Sequence, residues 1–188
     1  MQTTIKADKL AALLAGASVA ACTDKSVMIL NVVQLELGDN KIRLSATDRY
    51  RLALGELPID YAGDPIKLII SLDSVKQLVA WLKPLKDSHV ILDTTDLGLT
   101  ITSDTQNYLL TKLDQDYPDL AKVFPTEFDG VSEILFDSTY ISDVVKVSGK
   151  GIRVKWQFST PVRPAIATFS DKHGINWQYL VMPMRAAA

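Results

Sequence analysis

Cysteine occurs once in these 188 residues, at Cys22, which excludes an internal disulfide framework and a cysteine-rich zinc site and fits a reducing compartment. Histidine is almost as scarce. His89 and His173 stand far apart in strand-turn contexts without metal-ligand spacing. No glycine-rich phosphate loop and no nucleophile elbow is present. Charge of either sign is also missing in excess: 20 basic residues against 22 acidic give a net charge of −2, so any contact with nucleic acid must come from a local cationic face. No apolar run is long enough to cross a bilayer. What remains is 47% apolar content, ample for the core of one or two small domains. Asp48 is the one carboxylate that could pass for a catalytic group, but between Arg49 and Arg51 it reads as an ion pair or a turn hydrogen bond. No catalytic residue, cofactor or metal is expected.

Near the start, Lys6 and Lys9 precede the apolar stretch from Leu10 to Ala21, and Val19-Ala20-Ala21-Cys22 imitates a lipoprotein leader with its modified cysteine. Asp8 is out of place in a basic leader, and the segment is the first copy of an internal repeat. It is therefore expected to be a helix of the fold.

The repeat appears when the chain is slid along itself. Ile5-Lys6-Ala7-Asp8-Lys9-Leu10 with Leu13 and Leu14 matches Ile70-Ser71-Leu72-Asp73-Ser74-Val75 with Leu78 and Val79, and again Phe136-Asp137-Ser138-Thr139-Tyr140-Ile141 with Val144 and Val145. The offsets are 65 and 66 residues. Each copy begins with a short apolar strand, turns, and continues with apolar residues at i, i+3 and i+4, the stripe of an amphipathic helix. Ser71 and Asp137 are expected N-caps. Strands follow in every copy: 32–37 and 41–46 around Gly38-Asp39-Asn40; 90–93, 97–102 and 108–113; then 153–158, 165–169 and 177–182. A helix plus a few antiparallel strands cannot cover its own faces, so the units should pack together as α+β layers.

Three stretches resemble the bacterial sliding clamp family, the beta subunit of the replicative polymerase. They are Leu30-Asn31 onward to Ala46-Thr47-Asp48-Arg49-Tyr50-Arg51-Leu52-Ala53, then Leu113-Asp114-Gln115-Asp116-Tyr117-Pro118-Asp119 with Val123-Phe124-Pro125, and Tyr179-Leu180-Val181-Met182-Pro183-Met184-Arg185. By this resemblance residues 1–125 form a complete domain like the family's middle one, from units 1–62 and 63–125, and residues 126–188 form a half-domain like the second half of its last. The implied fold is an α+β DNA clamp of three β-α-β-β-β units, helices lining a ring and antiparallel sheets outside. Two departures stand out. Arg49 replaces the family's small glycine, placing a bulky cation beside the expected peptide channel, and Ala186-Ala187-Ala188 follow Arg185 in place of the family's customary apolar residue.

The resemblance further implies a non-enzymatic processivity factor in the cytoplasm, associated with the nucleoid. Its partners would be duplex DNA, met without sequence preference, and a polymerase and clamp loader that insert short apolar peptides. The implied groove comprises Leu30, Thr47, Arg49, Tyr50, Arg51, Leu52, Pro125, Tyr140, Val162, Pro164, Leu180, Val181, Met182, Pro183, Met184 and Arg185. From the residues alone, core is the favoured reading for Leu30, Val162 and Val181. Lys9, Lys76, Lys83, Lys86, Lys146 and Lys150 are the candidates to face phosphate, although lysine more often simply solvates a helix. Clamp rings hold about twelve such units, so three per chain imply a tetrameric ring, favoured over a dimer, with the odd third unit paired to its own copy across a twofold axis. The competing expectation is a clamp-like decoy or adaptor that binds peptides without encircling DNA.

Overall fold

A computed structural model describes residues 2–128 and 134–184. The chain runs β1 (Gln2–Lys6), α1 (Ala7–Ser18), β2 (Val32–Gly38), β3 (Lys41–Thr47), β4 (Arg51–Pro58), β5 (Ile66–Ser71), α2 (Leu72–Leu82), β6 (His89–Thr95), β7 (Gly98–Thr102), β8 (Asn107–Thr111), α3 (Ser138–Ser148), β9 (Lys155–Gln157), β10 (Ala165–Ser170) and β11 (Asn176–Val181). Local chemistry sets most of these boundaries. Ser71 Oγ accepts from Ser74 N at the start of α2, and Asp137 Oδ1 accepts from Thr139 N at the start of α3. Asp39 and Asn40 take positive φ angles of 50° and 55° in the two-residue loop joining β2 to β3, the backbone that a tight hairpin requires. The leader-like segment is α1, with Leu10, Leu13, Leu14 and Ala17 buried in the core.

The expected side-by-side packing of units takes a more interlocked form. Two antiparallel sheets form, in the orders β1-β6-β7-β8 and β5-β2-β3-β4-β11-β10-β9. The first strand of each of the first two units leaves home: β1 pairs with β6, Ile5 opposite Val90, and β5 pairs with β2, Ile70 opposite Val33. Neither unit therefore completes its sheet without the other. The third unit joins through β11 on β4, with Leu180 opposite Leu52, which extends one sheet to seven strands. Among the described residues its own leading segment makes one bridge, Leu135 to Met184. β4 itself was missing from the strands read in the sequence.

The three helices share one side of the sheets, α1 packing against both α2 and α3. Their apolar stripes form one core with the inward residues of the strands. At the junction of the first and third units, Trp177 of β11 is buried against Gly16 of α1 and Gly55 of β4. A Cβ on Gly55 would lie 2.6 Å from Trp177 Cζ3 and 2.7 Å from Leu13 Cδ1, so only glycine lets the indole in. The Trp177 indole N–H donates to Asp171 Oδ2 at 3.1 Å.

Candidate functional site

The junction of β4 with β11 gathers most of the expected groove residues, and period-two alternation sorts them onto two faces. On the helix side, Arg51 pairs with Asp48 (Nε to Oδ2, 2.9 Å) and with Asp143 of α3, and its guanidinium lies 4.9 Å from the Tyr140 ring centroid. Tyr140 stacks on Tyr50 with centroids 6.1 Å apart. Asp48 Oδ1 also accepts from the backbone N–H of Tyr50 and of Arg51, so this carboxylate has the turn and ion-pair role its neighbours implied. Thr47 Oγ1 donates to Arg51 O and accepts from Arg49 N. The Met182 N–H donates to Tyr50 O at 2.8 Å, which continues the β4–β11 ladder past its last strand pair.

Asp143 is the residue that sequence reasoning missed. Its side chain is only 4% exposed and that of Arg51 13%. Asp143 Oδ1 accepts no hydrogen bond by direction, but Lys146 Nζ stands 2.6 Å away and supplies charge. The available signal was an aspartate between apolar stripe positions Tyr140 and Val144, three residues beyond Tyr140 and hence on its face. Tyr179, buried next to Arg51, has its phenol pushed up to about 12 by burial.

On the outer face, Leu52 and Leu180 are buried with Ile166 and Leu120, flanked by Tyr117, Phe124 and Leu54. The link after β8 thus lies over the sheet, its one turn of 3₁₀ helix (Leu120–Val123) capped by Asp119 Oδ1 accepting from Ala121 N. Pro125 lines a cavity of about 610 Å³ on this face, together with Leu120, Phe124 and the charged residues Arg43, Glu36 and Glu56. Leu30 is buried in the turn before β2, its carbonyl accepting from Cys22 N. Val181 is fully buried in the main core, and Pro164 is buried just before β10, whose first residue, Ala165, lies opposite Val181. Val162 is 73% exposed and Met184 53% exposed. Met182 and Pro183 are half-buried between Val181 and Met184. Arg185 lies outside the described residues.

Arg49 has φ at +83°, in the left-handed region that favours glycine. Its side chain is exposed beside Tyr50. Of the six lysines, Lys76, Lys83, Lys86 and Lys150 are exposed on or just after their helices and Lys9 is half-buried on α1. Lys146 is engaged with Asp143, yet 66% of its side chain remains exposed.

Residues 4–119 match the family described as DNA polymerase III beta subunit, central domain. The chain belongs to this family. Among curated proteins it is similar to the beta sliding clamp of Micrococcus luteus, 29% identical over 114 residues, covering 60% of this chain and 37% of that protein. It is also similar to the beta sliding clamp homolog GriR of Streptomyces muensis, 27% identical over 128 residues, covering 66% of this chain and 34% of that one. The chain thus spans roughly a third of the length of these relatives. The solved DNA polymerase III beta subunit of Thermotoga maritima superposes with a TM-score of 0.86 at 20% identity, over 100% of this chain and 66% of that one. The sliding clamp of Pseudomonas aeruginosa gives 0.85 at 20% identity, over 99% and 67%. These likenesses establish the clamp fold across the third unit as well as the first two.

Proposed function

We propose that this chain is a sliding clamp: a processivity factor without chemistry of its own that encircles duplex DNA and tethers replication proteins through an apolar peptide groove. The observation that carries the reading is the β4–β11 junction. Residues from the first and third units, far apart in sequence, meet there around Tyr50, Tyr140 and Met182, with Met184 left open to solvent. Methionine suits a surface that must accommodate several apolar anchors, because its side chain is flexible and polarizable. A polymerase or clamp-loader peptide would lie in extended form along this edge. Arg49 would stand beside it and favour a peptide with an acidic residue near its anchor.

The domains in this proposal are residues 1–125, built from two interlocked units, and residues 126–188, a lone half. Four chains would close the ring. The lysines on and just after the helices would meet phosphates without reading bases, so retention would depend on topology and direct affinity would fall as salt rises. A ring loaded on nicked circular DNA should remain through gel filtration and be lost when the circle is cut. Loss of retention before cutting, or retention after it, contradicts the proposal. Replacing Met182 and Met184 together by alanine should abolish capture of a clamp-binding peptide while leaving that retention intact.

A second reading is an adaptor or decoy that binds the same peptides without encircling DNA. In its favour, the β4–β11 junction is complete within a single chain, whereas ring closure needs further chains. Such a protein would bind peptide normally, fail to load, and lower processive synthesis.

A further inference from the structure

The third unit differs from the first two at one place, and the difference has the shape of a missing copy. In the first two units, strand exchange and the packing of α1 on α2 bury Ile5, Leu10 and Leu14 in one and Ile70, Val75 and Leu78 in the other. The matching positions in the third are Phe136, Ile141, Val144 and Val145. Val144 is buried like its counterparts Leu13 and Leu78, but Phe136 and Ile141 are only half-buried, and Val145 is 52% exposed where Leu14 is buried and Val79 half-buried. β9 ends its sheet, with no strand beyond it among the described residues, and Val154 and Trp156 are half-exposed there. Phe158 stacks on Trp156 with centroids 6.2 Å apart and tilts against Phe136 at 6.3 Å, an aromatic group at an open sheet edge.

The leading segment is nevertheless held as its counterpart is. Met184 N donates to Leu135 O at 2.7 Å, and in the second unit Leu113 N donates to Ile69 O at 2.7 Å. Ile69 and Leu135 occupy the same place in the repeat. One edge of the segment is therefore bound by its own unit. The edge that β5 presents to β2 has no partner strand in the third unit among the described residues.

We propose that a second copy of this chain fills that place by reciprocal exchange, residues 134–136 of each copy lying along β9 of the other and α3 packing on α3 across a twofold axis. The complement that covers units one and two is, in each case, a unit of the same repeat, and a twofold contact needs no other component. A three-residue edge strand bearing Lys155 is also how a sheet edge is kept solitary. Against that purpose stand Val145 and Ile141 on the neighbouring helix, whose exposure gains a single chain nothing. The proposal deepens the oligomeric part of the clamp reading and is tested independently of it.

In a Cys22→Ser background, Leu135→Cys is combined with either Lys155→Cys or Gln157→Cys, and the oxidised full chain is run on a non-reducing gel. Exchange yields a covalent dimer with at least one of the two pairs; no dimer with either overturns it. Val145→Asp, at a site exposed in the single chain, should keep the circular dichroism spectrum and weaken self-association about a hundredfold by sedimentation. Unchanged association overturns the proposal as well. Copies that cross-link but are not retained on circular DNA would refute the clamp while leaving the exchange standing. Retention without cross-linking would do the reverse.

Discussion

Arg51 is the side chain whose removal should most sharply expose how the first and third units are held together. Replacing it by methionine keeps much of its apolar stem but leaves Asp143 buried without its main counter-ion. Breaking a buried pair on one side costs about 3–5 kcal/mol. Lys146 still neutralises part of the Asp143 charge, and its exposure means solvent screens that help, so the low end of the range, about 3 kcal/mol, is expected. The lost contact with the Tyr140 ring lies within that figure. Asp143→Asn leaves Arg51 with Asp48 and should cost less, about 2 kcal/mol. In the double variant the residues no longer leave each other orphaned, so the loss should fall short of the sum of the single losses by about 2 kcal/mol. Urea unfolding followed by tryptophan fluorescence reads this directly, since Trp177 is buried at the same junction. Additivity within about 0.5 kcal/mol would show that the two charges do not depend on one another and refute the reasoning.

Three further outcomes follow from the junction. Gly55→Ala drives a methyl into Trp177 and Leu13 and should destabilise by about 1–3 kcal/mol in the same assay, with a blue- or red-shifted indole emission marking the displaced ring. Arg49→Gly relieves a left-handed backbone that costs a side chain about 1–2 kcal/mol, partly offset by the freer unfolded chain, so a net gain of about 0.5–1 kcal/mol is expected in thermal unfolding. Tyr179 has a folded-state pKa above its unfolded value, so the protonated phenol favours folding below pH 10 and that contribution is lost as pH rises through 10 toward about 12. Tyr179→Phe should therefore flatten the fall in the urea midpoint across this alkaline window, and an undiminished slope would assign the fall elsewhere.

What the sequence determined by itself was periodic and local. Helices α1, α2 and α3 follow from apolar stripes at matched offsets, their caps from Ser71 and Asp137, and the β2–β3 hairpin from Asp39-Asn40. The motif around Thr47–Leu52 and the tail around Met182 were legible because each is short and distinctive. β4 escaped notice: its residues, Arg51-Leu52-Ala53-Leu54-Gly55-Glu56-Leu57-Pro58, carry alanine and glycine where a strand usually shows branched side chains, and it becomes a strand because β3 and β11 pair with it on both sides. Only the tertiary structure decided the exchange of β1 and β5 between units, the placing of Leu52 and Leu180 on the face opposite Arg51, and the choice of Asp143 as the buried partner of Arg51. Each depends on which distant strand or helix lies alongside, and that outcome is set by the joint burial of many apolar surfaces rather than by the preference of any one segment.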